Sequence, residues 1–262
     1  MLDLPAVSTG LATALELDGA TLAVVMGVVF LAGVVRGFSG FALSALIVAG
    51  LATVISPVAL IPVCIVLEGT ASLVMFRRGT RAEADWRIVR GLALGSVLGL
   101  PLGLQATLLL HPDASRFAAL ILITALAALQ LIGRAPPALA SRPGLYLSGL
   151  LAGVATGIAG VGGMVVALYV LAANAPPARM RASLVMFLFI GVFTSGAWLI
   201  ATGVLDRLAL VRGLALSPVV VIGVLAGTRL FRPSLQRFYR GFCLALLIGL
   251  SLAGLIRLAV TS

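Results

Sequence analysis

The chain has 262 residues, of which 61% are hydrophobic and 10% charged, and its mean hydropathy is +1.23. Soluble domains are about half apolar and a quarter charged, so this composition excludes a soluble protein, a disordered chain and a disulfide scaffold. The net charge of +10 does not mark a nucleic-acid binder, because such proteins carry their charge on a polar, solvated face that this chain lacks.

Residues 1–21 read as an N-terminal extramembrane segment. It holds Asp3, Glu16 and Asp18 and no basic residue, so it lacks the positive start of a secretory signal and reads as a mature end. Apolar segments then run over 22–55, 57–76, 88–110, 115–133, 144–173, 182–203, 208–228 and 238–258. Six of them have the roughly 19–23 residues that cross a bilayer core once. The first and fifth are longer. A straight helix of about 34 residues would measure about 51 Å, against about 30 Å of hydrocarbon.

Both long segments are interrupted by glycine near the middle. The first carries Gly37-Phe38-Ser39-Gly40 and the second Gly157-Ile158-Ala159-Gly160-Val161-Gly162-Gly163. Glycine clusters break helices, and broken helix at membrane depth survives only where protein or a water-filled cavity satisfies the backbone. These segments are either bent spans or re-entrant hairpins whose tips reach the midplane.

The candidate site residues follow in chain order. Arg36 adjoins the first break, about 20 Å along its helix, too deep to reach the surface easily. A charge at that depth faces a cavity or a partner, and arginine holds an oxyanion with two parallel donors. The expected roles are a substrate contact or a partner of Glu68. Gly37, Phe38, Ser39 and Gly40 form the first tip; Thr156, Gly157, Gly160, Gly162 and Gly163 form the second. A new helix starts after each break, and helix N-termini attract anions. Close helix packing through small residues is the competing reading.

Glu68 falls near the middle of the second span, with Ser72 one turn further on the same face. A buried carboxylate there can carry protons or serve structurally. Cys64 and Cys243 lie in apolar runs and read as small hydrophobes. Gln105 and Gln130 suit interhelical hydrogen bonds. His111 is the single histidine and cannot build a multi-histidine metal site, so neither a metal nor a cofactor is expected. Thr194, Ser195 and Trp198 could line the cavity, although core packing explains them as well. The arginines over 77–90 and 229–240 read as anchors against anionic lipid.

The two halves repeat. Leu31-Ala32-Gly33-Val34 with Gly37 and Gly40 recurs 120 residues later as Leu151-Ala152-Gly153-Val154 with Gly157 and Gly160. Pro57 matches Pro177, Arg90-Gly91-Leu92-Ala93-Leu94 matches Arg212-Gly213-Leu214-Ala215-Leu216, and Pro112 with Arg116-Phe117 matches Pro233 with Arg237-Phe238. Residues 22–133 form the first transmembrane repeat, 134–143 a linker and 144–258 the second repeat. Internal repeats mark secondary transporters, which bind substrate at the repeat interface.

Charge then selects an orientation. If all eight segments span with the N-terminus inside, ten arginines face the cytoplasm and seven the outside. If the long segments are hairpins and the N-terminus is outside, the split becomes thirteen to four. Arg207, Arg212 and Arg257 move out, while Arg179, Arg181, Arg229, Arg232, Arg237 and Arg240 move in. The positive-inside rule prefers the second arrangement. The expected fold is therefore an all-α polytopic membrane protein of two repeats, each a glycine-broken, re-entrant hairpin followed by three transmembrane helices. A hairpin plus three spans crosses an odd number of times, so the repeats are inverted relative to each other.

This pattern resembles the sulfite exporter TauE/SafE family. The second tip, Gly157 to Gly163, is similar to that family's glycine-rich signature, and Ala84-Asp85-Trp86-Arg87 is similar to its acidic-Trp turn. The resemblance spans about Leu22 to Arg257. The first tip departs from it with Phe41-Ala42, and the second half has Asp206-Arg207 in place of an Asp-Trp pair. The resemblance implies a secondary transporter of sulfite, sulfoacetate or related organosulfonates, in the plasma membrane of a bacterium, with the bilayer and a small anion as partners. A homodimer is left open. Composition and spacing by themselves give only a small-molecule secondary transporter.

Four other functions compete. Gly37-Phe38-Ser39-Gly40 matches the GxSG string of intramembrane serine proteases, but Ser39 would need a base, and His111 sits at the membrane edge. A passive anion channel, a carrier of another small organic anion and a non-transporting assembly factor are the rest. No phosphate-binding loop for ATP occurs.

Overall fold

The computed structural model describes residues 18–76, 80–133, 136–173, 176–230 and 236–261, and its regular structure is helical throughout. Asp3 and Glu16 of the N-terminal segment lie outside the described residues, as do Arg77, Arg78, Arg134, Arg232 and Pro233 and the side chains of Arg237 and Arg240, which carried part of the orientation and repeat argument. The first half contains α1 (Gly19–Ser39), α2 (Leu43–Leu51), α3 (Pro57–Phe76), the single turn α4 (Thr80–Glu83), α5 (Trp86–Leu109) and α6 (Pro112–Ile132). After a further turn at Pro137–Ala140 come α7 (Arg142–Ala159), α8 (Gly162–Ala172), α9 (Pro177–Ala201), α10 (Arg207–Leu230) and α11 (Gln236–Thr261). Seven of these, α1, α3, α5, α6, α9, α10 and α11, contain stretches long and apolar enough to cross a membrane.

Local chemistry sets the helix starts. Proline, whose missing N–H has no partner at a helix start anyway, opens α3, α6 and α9. Asp18 caps α1 by accepting from the Thr21 N–H at 3.1 Å. Asp85 caps α5 through the Arg87 and Ile88 N–H groups, and Asp206 caps α10 through Ala209 at 2.7 Å. The acidic-Trp turn is thus a helix cap, and Asp206-Arg207 keeps that function without the tryptophan.

The two long segments are hairpins rather than bent helices. Gly40 (φ 82°) and Gly160 (φ 68°) end α1 and α7 in the left-handed region that glycine enters without steric cost. The Gly40 N–H donates to Arg36 O, and the Gly160 N–H to the carbonyls of Ala155 and Thr156. Beyond the first break α2 returns along α1, since a Cβ on Gly50 would lie 3.0 Å from Val28 Cγ1. Beyond the second, α8 packs against Pro137–Ala140, the turn just before α7. The arms are unequal, 21 and 9 residues in the first hairpin and 18 and 11 in the second. At 1.5 Å per residue the longest arm is about 31 Å and the shortest about 13 Å.

Each hairpin is clasped by a helix of the other half. α5 and α7 form the most extensive helix pair in the molecule, followed by α1 and α10. Glycines four apart make both approaches possible, because small residues let backbones meet where no hydrophobic force between helices exists. Gly95, Gly99 and Gly103 on α5 face Gly149, Gly153 and Gly157 on α7, while Gly33 and Gly37 on α1 face Gly223 and Gly227 on α10. The opposite side of α5 exposes Leu94, Leu98 and Leu102, as a lipid-facing stripe requires. Contacts between α3 and α9 and between α6 and α11 complete the bundle.

Candidate functional site

The first break positions a charge cluster inside the bundle. Arg36, in the last turn of α1, is 0% exposed. One guanidinium nitrogen donates to the carbonyl of Gly40, directly across the break. The other donates to Ser72 Oγ at 3.0 Å and lies 3.3 Å from Glu68 Oε2. The contact with Glu68 lacks hydrogen-bond geometry, and Arg36 Nε has no hydrogen-bond partner among the described residues. Glu68 and Ser72 come from α3, so the cluster ties the first hairpin to the first span after it.

Glu68 also meets the start of α2. Its Oε1 accepts from Ser44 Oγ at 3.0 Å and from the Ser44 N–H at 3.4 Å. That N–H belongs to the first turn of the helix, where amides have no intrahelical partner and the helix dipole favours negative charge. The residue before this turn, Ala42, holds φ 74° and is the one non-glycine residue with positive φ among those described. The first tip's departure from a glycine run therefore places strained backbone beside the cluster.

A small cavity of about 30 Å³ adjoins the cluster, space for a water molecule or two. Ser44 and Glu68 line it from the first half and Thr156 and Gly160 from the second, with Ser96, Thr194 and Ser195 adding hydroxyls. The second break meets the start of α2 here: a Cβ on Gly160 would lie 3.4 Å from Ser44 Cβ.

The other expected site residues divide by location. Gly37 and Gly157 are spent on helix contacts, since a Cβ on Gly37 would lie 2.4 Å from Val224 O and one on Gly157 2.3 Å from Leu104 N. Gly162 is held against Thr156 Oγ1, itself bonded to Ala152 O at 2.8 Å, and Gly163 lies beside Leu188. Phe38 is buried in the apolar core. The Ser39 hydroxyl bonds within the break, to the Val35 and Phe41 carbonyls at 2.7 Å each. His111 is exposed at the start of α6, 3.8 Å from Asp113, so Ser39 and His111 serve separate local structures. Trp198 lies more than a third exposed on α9 and is not part of the cavity lining, in contrast to Thr194 and Ser195. Gln130 does bridge helices, donating to Met164 O at 3.2 Å, whereas Gln105 is exposed.

Two contributors escape sequence reasoning. Ser44 sits in an unremarkable apolar run, and only the fold brings it to Glu68. Arg181, counted with the cytoplasmic arginines, lies in the first turns of α9 and donates to the Gly37 carbonyl, with its side chain against Gly40. These contacts join residues 24 and 144 positions apart. The glycine ladder of α5 did have a local signal, the spacing of four in Gly91, Gly95, Gly99 and Gly103.

A family model described as sulfite exporter TauE/SafE matches residues 25–254. No curated protein and no solved structure matches the chain.

Proposed function

The chain belongs to the sulfite exporter TauE/SafE family, a family of membrane transporters, and we propose that it is a secondary-active carrier of small sulfur-containing anions. Sulfite, sulfoacetate and related organosulfonates are the substrate class, bound between the two helix breaks with access alternating across the bilayer. The observation that carries this reading is the buried Arg36–Glu68 pair beside a cavity lined by Ser44 and Glu68 of the first half and by Thr156 and Gly160 at the second break. Charge buried in an apolar bundle is costly and is retained where a solute or ion pathway uses it. Arg36 supplies a guanidinium, α2 supplies first-turn amides, and Ser96, Thr156, Thr194 and Ser195 supply hydroxyls at the lining. Together these groups suit a compact oxyanion.

The helix pairing supports a two-fold repeat, and the odd number of crossings per half makes it an inverted one. Exchanging each element of the first half for its counterpart in the second turns the α1–α10 pair into α7–α5, and returns α3–α9 and α6–α11 to themselves. In this arrangement the hairpins enter from opposite faces and the substrate lies at the repeat interface. The cavity has room for only a water or two, so loading an anion requires α9 or the lining side chains to move. Glu68 is the candidate proton carrier of the cycle. A proton-coupled uptake whose pH profile survives Glu68→Gln would exclude that role.

The function is tested by melting the purified full chain with sulfite, sulfate, sulfoacetate, taurine and small carboxylates. A ligand that binds only the native state stabilises it by about 2.7 kcal/mol at a hundredfold excess over its Kd. Stabilisation by sulfite or a sulfonate and not by carboxylates is the expected result. No shift with any of them, or equal shifts with all, would overturn the substrate class. Saturable counterflow in proteoliposomes is expected of a carrier, and its absence alongside passive anion flux would mark a channel.

A further inference from the structure

We propose that Glu68 is an internal competitor for the substrate's place. In the closed arrangement its carboxylate occupies the anion-binding positions at the α2 N-terminus and on Arg36, and the substrate oxyanion enters by displacing it. This deepens the anion-carrier reading and rests on it.

Three observations carry the proposal. The carboxylate occupies the cradle but fills it incompletely. Its Oε1 takes the Ser44 N–H and Oγ, while Oε2 approaches Arg36 without hydrogen-bond geometry and Arg36 Nε stays unsatisfied at 0% exposure. An oxyanion with three oxygens around one sulfur can engage the guanidinium fork and the helix start together. Glu68 also lines the cavity, so a displaced carboxylate has an adjoining space bordered by hydroxyls in which to turn.

The second half supplies the third observation, because it builds the same break without charge. At the 120-residue offset Thr156, Met164 and Leu188 replace Arg36, Ser44 and Glu68. The Leu188 methyl groups lie 3.3 Å from where a Cβ on Gly163 would be, against the start of α8, much as Glu68 lies against the start of α2. A hairpin of this kind is thus stable with an apolar residue in that position. The ion pair of the first half exceeds what the architecture needs, which is the mark of a group retained for a ligand.

Removing the competitor's charge should strengthen anion binding, since an occupied site lowers apparent affinity by the fraction of molecules that are competent. The purified chain and its Glu68→Gln and Glu68→Asp variants are titrated with sodium sulfite by thermal shift. Glu68→Gln is expected to melt lower than wild type without sulfite, to regain that loss with it, and to bind at least about tenfold more tightly. Glu68→Asp keeps the charge and is expected to bind like wild type. Wild-type binding with equal or weaker binding by Glu68→Gln would overturn the competitor role alone. No sulfite binding by any of the three would overturn the anion-carrier reading itself. Should Glu68→Gln fail to fold, sulfite-induced infrared difference spectra decide. A carboxylate stretch perturbed in wild type and moved in Glu68→Asp is expected, and its absence would refute displacement.

Discussion

Arg36→Ala is expected to cost about 3–5 kcal/mol of stability, the range for breaking a buried ion pair by removing one partner, and to abolish stabilisation by sulfite. The side chain is 0% exposed and bonds to Gly40 O, Ser72 Oγ and Glu68 at once. Its loss takes from the Glu68 carboxylate the counter-charge 3.3 Å away and removes the brace across the first break. Most of that cost is the penalty of the orphaned charge rather than the net worth of the pair. The double variant Arg36→Thr with Glu68→Leu should therefore be more stable than Arg36→Ala, because it installs the residues that the second half already uses in these positions. It should remain unable to bind sulfite. Thermal unfolding of the detergent-solubilised chain, with and without sulfite, checks both statements. An Arg36→Ala protein as stable as wild type and still protected by sulfite would contradict them.

Gly99→Val and Gly227→Val should each cost more than about 3 kcal/mol, the upper end for ordinary overpacking, and both are expected to leave little folded protein. A Cβ at either position would lie 2.0 Å from a backbone carbonyl of the facing helix, that of Leu150 for Gly99 and of Val34 for Gly227. Real Cβ atoms essentially never come within 3.0 Å of such an atom. Backbone cannot rotate away as a side chain can, so the helix pair must separate along its length. Since α1 and α7 are the long arms of the two hairpins, separation moves the breaks apart and dismantles the cavity beside them. Gly27→Ala and Gly249→Ala are the controls. A Cβ there meets nothing within 4 Å, and alanine is the better helix former by about 1 kcal/mol. Yields and melting temperatures near wild type for the controls, and collapse for the two valine variants, are the expected pattern; tolerated valines would refute the close contact.

Parts of the site were legible in the chain. Arg36 beside a glycine break, and Glu68 in mid-span, stand out because charge is rare in this composition. Their association was one of three readings that residue chemistry allowed for Arg36, beside a substrate contact and a position nearer an interface. Gly37 and Gly157 take part in close helix packing, the competing reading of the glycine tips. Their place in the glycine tips suggested ligand contact, yet both meet a neighbouring backbone. A glycine that admits a ligand and one that admits a helix have the same local sequence, and only the facing element distinguishes them. Trp198 lies outside the cavity lining, and a helix in a membrane can be apolar on every side, so periodicity carries little information about which side faces in.

Composition and local pattern by themselves determined that this chain is a helical membrane protein, where its two long segments break, and which prolines and aspartates start its helices. Those properties depend on neighbours within a few positions, or on counting. The tertiary structure decided that the long segments double back, that each hairpin is gripped by a helix from the other half, and that Ser44 and Arg181 belong beside the first break. It also decided that Glu68 sits at the start of α2. Contacts of this kind join residues 24 to 144 positions apart, and which distant surfaces meet is set by close packing of backbones, which no local spacing encodes.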